Sequence, residues 1–161
     1  GFHATGIDRI VAESGISKTT LFRHFESKDI LIRDALAAFS QRIQMSWIVE
    51  ECENAEAQLL ARFDVLLELV NNNQFHGCVF LNASGEYPDE QSLIHQVAIA
   101  HKHASLAETQ RLLAVIKGIE RDVALTIELI YEGVVARLQV QQDTVIIEAA
   151  KKAVQLLLNI K

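Results

Sequence analysis

The sequence predicts an all-α protein in which a short helix-turn-helix segment precedes a larger helical body. Apolar residues recur at intervals of three and four along most of the 161 residues, which is the period of an amphipathic helix. Strand-like alternation is nearly absent, and only one Pro and seven Gly interrupt the pattern. Half of the residues are apolar, so the chain can form one good core or a small module packed on a larger one.

A first short helix is predicted after the opening residues "GFHAT". Thr5 and Asp8 have the spacing of a capping box, in which side chains satisfy the free N–H groups of the first turn. Gly15 ends this helix, because Gly adopts the left-handed conformation of a helix C-terminus at low cost. The apolar face of the helix consists of Ile7, Ile10 and Val11.

A second short helix is predicted over residues 18–25, with Ser17 as its N-cap. Leu21 and Phe25 lie on its inner side. The remaining side chains point outward or lie at the rim: Lys18, Thr19, Thr20, Phe22, Arg23 and His24.

The rest of the chain is predicted to be helical. Ser27 caps a long third helix that extends to the region of Glu50. Pro88, in the turn "GEYPDE", suits the first position of a helix, and Gly118 interrupts another. The predicted helices of the body cover residues 59–70, the segment "CVFLNAS", and residues 92–116, 120–140 and 144–159.

Charge is distributed unevenly along the chain. The net charge of -6 argues against nonspecific binding of nucleic acid by the whole chain. Residues 1–33 hold five Lys or Arg against four Asp or Glu, whereas the remaining residues hold ten against seventeen. The near-neutral first segment can therefore contact DNA while the acidic remainder is repelled from it.

The sequence also indicates a cellular compartment. No stretch of 18 or more residues lacks charge, so a membrane span is excluded, and nothing at the front reads as a signal peptide. Cys52 and Cys78 suggest a reducing compartment, and the cytoplasm is the expected location. Because the chain starts at Gly1 without Met, we expect residues to be missing before it.

A helix, a turn that contains Gly and a second helix form the pattern of a helix-turn-helix, whose second helix enters the major groove of DNA. Short hydroxyls and long donors near the start of that helix are groups that base edges and phosphates accept. Lys28, in the first turn of the third helix, lies beside free N–H groups that favour an anionic oxygen. The pattern alone leaves open an ordinary helical corner with a solvated polar face.

The segment "GFHATGIDRIVAESGISKTTLFRHFESKDIL" resembles the DNA-binding domain of the TetR/AcrR family of bacterial transcriptional regulators. It matches nearly every signature position of that domain. Phe22 stands where the family usually has Tyr, Val11 where Ala is usual, and Thr19 where Gly is frequent. The family has a further helix before Gly-Phe, so the resemblance implies that the first helix is missing here.

The resemblance implies that the protein binds double-stranded DNA at a pseudo-palindromic operator as a homodimer. By position, Lys18, Thr19, Thr20 and Arg23 would face the bases. Contacts that position the protein on the DNA backbone would come from Thr5, Ser17, Phe22, His24 and Lys28.

The resemblance also implies a DNA-binding domain at 1–33 and a domain for effector binding and dimerisation at 34–161. A small apolar or amphipathic effector would bind among the middle helices and release the protein, which is expected to be a repressor, from its operator. The candidate effector contacts are Trp47, Phe63, Phe80, Asn82, Glu86 and His95. The candidate dimer contacts are Ile127, Ile130, Val134, Leu138, Ile146, Ala150, Ala153, Val154 and Leu157.

The sequence bears on three alternatives to this function. No Ser-His-Asp set, Gly-rich phosphate loop or paired carboxylates stand out, so no enzyme and no cofactor are expected. His95, His101 and His103 lack the spacing of four residues that two ligands on one helix need, so no metal site is expected, although metal or thiol sensing remains an alternative. The last alternative is a helical interaction module without DNA binding.

Overall fold

A computed structural model of the protein describes residues 1–47, 54–116 and 123–159. Within these ranges the chain forms eight α-helices and no strand, which confirms the all-α prediction. The helices are α1 (Ile7–Ser14), α2 (Lys18–His24), α3 (Lys28–Ser46), α4 (Ala55–Asn71), α5 (Val79–Glu86), α6 (Leu93–Leu113), α7 (Val123–Val140) and α8 (Thr144–Leu158). The predicted helix end near Glu50, Cys52 and the interruption at Gly118 lie outside the described residues. None of the described helices is long and apolar enough to cross a lipid bilayer.

The chain divides into two compact units. The first unit comprises Gly1–Ile43 and Val79–His101, and the second comprises Gln44–Cys78 and Lys102–Lys161. The domain boundary predicted from the sequence, between residues 33 and 34, separates DNA binding from effector binding and dimerisation. It stays a prediction.

Local capping signals explain the ends of the first helices. Gly15 has a φ of 71°, and its N–H donates to the carbonyl of Val11, so it is the left-handed C-cap that the sequence predicts. The hydroxyl of Ser17 accepts the N–H of Thr20 at 3.0 Å, and that of Ser27 accepts the N–H of Ile30 at 3.2 Å. The N-caps predicted for α2 and α3 are therefore confirmed.

Two predicted helix starts are wrong. The N-cap of α1 is Gly6, which offers no side-chain cap, and the hydroxyl of Thr5 instead donates backwards to the carbonyl of Gly1 at 2.9 Å. Pro88 does not open a helix, because a turn follows it in which Asp89 accepts the N–H groups of Gln91 and Ser92. The helix α6 therefore begins at Leu93 rather than at the proline.

The centre of the first unit contains aromatic rings and one buried polar contact. The ring of Phe80 stacks on that of His101 with centroids 3.7 Å apart, and the ring of Phe39 lies 6.2 Å from Phe80. The hydroxyl of Ser40 lies 2.9 Å from Nδ1 of His101, and both residues are buried. This contact gives a polar partner to an imidazole in an apolar environment.

The core of the second unit is built mainly by α4, α7 and α8, with α8 packed against both other helices. Phe63 is almost fully buried at its centre and meets the ring of Tyr131 edge-on, with centroids 5.4 Å apart. Further core side chains on the three helices include Leu59, Leu66, Ile127, Val134, Leu138, Ile147 and Val154.

A buried ion pair lies beside this core. The guanidinium of Arg62 donates to the carboxylate of Glu128 at 2.6 Å, and also to the hydroxyls of Thr109 and Ser105 at 3.0 and 2.8 Å. Both hydroxyls donate in turn to the carboxylate of Glu128 at 2.6 Å. Among the described residues, no buried side-chain nitrogen or oxygen lacks a hydrogen-bond partner, so the burial cost of this pair is compensated locally.

The pKa of Glu128 is lowered from its usual value of 4.5. Burial alone would raise this pKa, but the positive charge of Arg62 and the hydrogen bonds from Arg62, Ser105 and Thr109 outweigh that effect. A carboxyl whose pKa is lower in the folded chain adds stability above its unfolded pKa. That stability is lost as the pH falls through the folded value.

We expect Glu128→Gln to be less stable than the unchanged protein at pH 7 by about 3 kcal/mol, because Arg62 then loses a buried counter-charge. The difference between the two proteins should shrink as the pH falls below 4.5, since only the unchanged protein then takes up a proton at this site. Urea unfolding from pH 7 to pH 3 measures both free energies of unfolding. Two curves that stay parallel over this range would contradict the assignment.

Candidate nucleic-acid interface

The helix α2 is fixed from its inner side. Leu21 is 1% exposed, while Ser17 and Thr20 meet at the helix start with their hydroxyl oxygens 2.9 Å apart. The N–H of Phe25, directly after the helix, donates to the carbonyl of Leu21. One buried leucine and one cap therefore set the rotation of the helix about its axis.

The opposite face of α2 is open to solvent. Its exposed side chains are Lys18, Thr19, Phe22, Arg23 and His24, while Thr20 is half-buried. This is the outward set that the helical period predicts. Their contact with DNA stays a prediction.

Lys18 has a partner that the sequence analysis missed. Its Nζ lies 3.0 Å from the carboxylate of Asp8, across the turn between α1 and α2. Both side chains are largely exposed, so the pair is weak and water competes with it. A phosphate or a base edge can therefore replace Asp8, although Asp8 adds a negative charge to the predicted DNA-binding face.

Arg23 and Lys28 differ in their availability. Within the described part of the chain, the guanidinium of Arg23 forms no ion pair or hydrogen bond. The Nζ of Lys28, which is half-buried, donates to the carbonyl of His3 at 3.3 Å. Arg23 is thus the long donor on α2 that is free to reach a ligand, and Lys28 also stabilises the segment before α1.

The six candidate effector contacts fall into both units. Trp47 and Phe63 belong to the second unit, where the guanidinium of Arg62 lies 5.8 Å from the ring of Trp47 and 4.4 Å from that of Tyr131. The other four, Phe80, Asn82, Glu86 and His95, belong to the first unit.

Within the first unit, three of these four have specific surroundings. Asn82 is exposed, and Nδ1 of His95 lies 2.6 Å from the carbonyl of Tyr87. The carboxylate of Glu86 is bound by backbone N–H groups at the start of the chain. The role of all six as effector contacts stays a prediction.

The candidate dimer contacts lie mostly on inner faces of α7 and α8. Five of the nine belong to the buried core of the second unit, namely Ile127, Val134, Leu138, Ala150 and Val154. Three others, Ile130, Ile146 and Leu157, are partly buried and packed against that core, and Ala153 is half-buried. The structure thus gives most of them a role inside their own chain, and their contact with a second chain stays a prediction.

The described residues bear on metal and thiol chemistry as follows. Within residues 1–47, 54–116 and 123–159, no group of three or more potential ligands is placed to hold a metal ion. Cys78 is half-buried with its sulfur 3.7 Å from Nζ of Lys102, which also pairs with Glu132 at 2.5 Å. The carboxylate of Glu132 therefore neutralises the charge of Lys102 beside the thiol of Cys78.

Comparison with known proteins identifies the class of protein that carries this fold. The family described as "Bacterial regulatory proteins, tetR family" matches residues 1–35. The HTH-type transcriptional regulator YjdC of Escherichia coli K12 is 31% identical over 157 residues, which cover 94% of this chain and 82% of YjdC. The chain belongs to the TetR family of bacterial transcriptional regulators.

Solved structures agree with this assignment. The crystal structure of SCO4454, a TetR-family transcriptional regulator from Streptomyces coelicolor, superposes with a TM-score of 0.87 at 29% identity. The match covers 98% of this chain and 85% of SCO4454. A TetR transcriptional regulator from Legionella pneumophila shares the fold with a TM-score of 0.81 at 16% identity, over 97% of this chain and 87% of that one.

Membership defines the broad activity. The protein is a DNA-binding transcriptional regulator, with an N-terminal helix-turn-helix and a C-terminal helical domain. TetR-family regulators are not enzymes; they bind DNA operators and act as dimers. The resemblance given by the segment from Gly1 to Leu31 is therefore confirmed.

The pair between Lys18 and Asp8 makes a testable prediction. Lys18→Ala should weaken binding to the operator and reduce the slope of affinity against salt by about 1, because one cationic contact is lost. Asp8→Asn should strengthen binding by about twofold to fivefold, since it frees Lys18. Fluorescence anisotropy with labelled operator DNA at several salt concentrations measures both effects.

Glu13→Gln is the matched control, because it removes the same charge from α1 but leaves Lys18 paired with Asp8. An effect of Glu13→Gln equal to that of Asp8→Asn would show that the stronger binding does not depend on the release of Lys18. Lys18→Ala with unchanged affinity and salt slope would remove Lys18 from the interface.

Proposed function

We propose that the protein is a ligand-responsive repressor that binds a pseudo-palindromic operator as a homodimer, with α2 in the major groove. The outward face of α2 carries this proposal, because Lys18, Thr19 and Arg23 are exposed there above the buried Leu21. Side chains of this kind on a recognition helix contact base edges and phosphates. Residues 1–33 form the DNA-binding domain in this proposal, and residues 34–161 bind effector and partner subunit.

Within this interface the predicted roles divide as follows. The bases or the groove are contacted by Lys18, Thr19, Thr20 and Arg23. The hydroxyl of Thr20 is also hydrogen-bonded to that of Ser17. The DNA backbone is contacted by Thr5, Ser17, Phe22, His24 and Lys28. Phe22 offers a 43% exposed ring without a hydroxyl, so it contributes apolar contact with sugar or a thymine methyl group rather than a hydrogen bond.

An apolar stripe on the second unit supports a homodimer. On α7, five exposed residues with helical spacing share one face: Leu125, Leu129, Gly133, Ala136 and Val140. A Cβ atom on Gly133 would meet no atom within 4 Å, so the surface is open there. On α8, the exposed apolar residues Val145, Ala149 and Leu156 share one face with the exposed Lys152.

We propose that this stripe, together with the half-buried members of the predicted set, contacts the second subunit. A contiguous exposed apolar patch, unlike single exposed apolar residues, marks a surface that binds a partner, and Leu125, Leu129 and Val140 are each more than half exposed. Small residues such as Gly133 and Ala136 allow helices of two subunits to approach closely. The inner faces of the same helices form the core, so α7 and α8 would serve both contacts.

The effector is proposed to be a small apolar or amphipathic molecule. In the second unit, the guanidinium of Arg62 lies against the rings of Trp47 and Tyr131, and the ring of Phe63 meets that of Tyr131 edge-on. A mostly apolar ligand with one polar group suits this combination of rings with a few polar atoms. Its binding would favour a dimer state whose two α2 helices do not match the operator, and so would relieve repression.

Selection of bound fragments from random DNA tests this function directly. We expect enrichment of an inverted repeat whose half-sites lie about 34–36 Å apart or a multiple of that distance, because two symmetric recognition helices read it. Leu129→Glu should yield a monomer with strongly reduced operator affinity, since a charge then lies in the apolar stripe. Val65→Glu is the control, because Val65 is similarly exposed on α4, away from the stripe.

A reporter gene behind the selected operator tests repression and effector class. The protein should lower expression, and a mostly apolar ligand from a panel should restore expression and weaken operator binding in the purified protein. Enrichment of isolated half-sites, or a dimer that survives Leu129→Glu, would contradict the dimer. Increased expression from the reporter would contradict the repressor role.

A further inference from the structure

The carboxylate of Glu86 binds the backbone before α1, 83 and 84 residues away in the sequence. It accepts the N–H of Phe2 at 2.9 Å and the N–H of His3 at 2.6 Å. The carbonyl of Glu86 also lies 2.8 Å from Nε2 of His3. The last residue of α5 therefore contacts two consecutive residues at the entry to the helix-turn-helix through three hydrogen bonds.

Neighbouring residues reinforce this contact. The ring of Tyr87 lies 4.5 Å from that of His3 and 6.5 Å from that of Phe2, measured between centroids. The carbonyl of Tyr87 in turn lies 2.6 Å from Nδ1 of His95, in the first turn of α6. We call Glu86 and Tyr87 the bracket, because together they connect α5 and α6 to the segment before α1.

A third contact comes from α3. Nζ of Lys28 donates to the carbonyl of His3 at 3.3 Å, so His3 is bound through its N–H, its ring and its carbonyl. These contacts restrict the motion of the backbone at His3. Consistent with these contacts, hydrogen bonds from the N–H groups of His3 and Phe2 lower the pKa of Glu86.

The helix-turn-helix needs such support because it buries little by itself. No residue of α1 is buried, and Leu21 is the buried residue of α2. A segment with so small an apolar core cannot fix its orientation through burial alone. Polar contacts with directional geometry, such as the charge-assisted hydrogen bonds to Glu86, can do so.

We propose that Glu86 is a positioning residue for operator recognition, which binds the backbone of Phe2 and His3 and thereby sets the orientation of α1 and α2. This inference rests on the proposed DNA-binding function of α2. It gives Glu86 a role different from the effector contact that its position in the sequence predicts. DNA itself is not touched by Glu86, so its effect on affinity passes through α1 and α2.

Three variants of the full chain test the inference. Glu86→Gln keeps the side-chain length but replaces one acceptor oxygen by an NH2 group, which cannot accept the second backbone N–H. Glu86→Asp keeps the charge with a shorter reach. Glu90→Gln is the matched control, because it removes the same charge from an exposed side chain in the turn after α5.

We expect Glu86→Gln to lower operator affinity by about tenfold, within the usual range of coupling between sites. Affinity for unrelated DNA should change by less than about twofold, because phosphate contacts depend little on the orientation of α2. Glu90→Gln should leave both affinities within about twofold of the unchanged protein, and the unfolding midpoint of Glu86→Gln should shift by less than about 4 °C. Glu86→Asp should recover part of the lost affinity.

Other results decide against the inference. If Glu86→Gln binds the operator as Glu90→Gln does, Glu86 does not position α2. If Glu86→Gln unfolds, Glu86→Asp replaces it in the comparison: reduced operator affinity with unchanged affinity for unrelated DNA supports the inference, and operator affinity equal to that of Glu90→Gln overturns it. A loss of operator and unrelated DNA binding to the same extent would also overturn it. If the unchanged protein selects no DNA at all, the proposed function fails first, and the inference fails with it.

Discussion

The entry to the helix-turn-helix is the point on which the first unit depends. The segment from α1 to α2 contains one nearly fully buried side chain, Leu21, so apolar burial cannot hold it in one orientation. The backbone N–H groups of Phe2 and His3 donate to Glu86, and the ring of Tyr87 lies beside that of His3, so directional contacts add to the small core. Together with the packing of Phe39 and His101 against Phe80, these contacts join the chain's first 43 residues to α5 and the start of α6 within the first compact unit. A recognition helix reads DNA only when its orientation is fixed to within a fraction of a groove width.

The second unit is stabilised in a different way. Its three principal helices bury a continuous apolar core around Phe63, and the polar exception, Arg62 with Glu128, is compensated by the hydroxyls of Ser105 and Thr109. Such a pair adds little net stability compared with apolar residues of the same size, but removal of one partner is costly. The exposed apolar stripe on α7 lies outside this core, and it supports the proposed dimer.

Local rules predicted much of the fold. Gly15, Ser17 and Ser27 act within four residues of their partners, so the sequence is sufficient to recognise them. The capping box predicted at Thr5 is wrong. The hydroxyl of Thr5 donates to the carbonyl of Gly1 instead, and Asp8 pairs with Lys18 on the next helix. A spacing rule cannot weigh such competing partners.

The candidate site was predicted less completely. The exposed face of α2 follows from its helical period, and membership of the TetR family follows from the motif that contains it. The partners of Glu86 and Arg62 lie 43 to 84 residues away, and no periodicity connects them. Glu86 therefore looked like a polar residue available to a ligand. The candidate dimer contacts are a similar case. An apolar stripe in the sequence does not show which of its residues face the core of their own chain.

If the bracket orders the DNA-binding segment as we propose, amide hydrogen exchange measures that order without DNA. In the unchanged protein and in Glu86→Gln, exchange would be followed by mass spectrometry at neutral pH. We expect faster exchange in Glu86→Gln for peptides that cover residues 1–25, with unchanged exchange in α4, α7 and α8. Equal exchange of residues 1–25 in both proteins would contradict it, because the segment would then be ordered without Glu86.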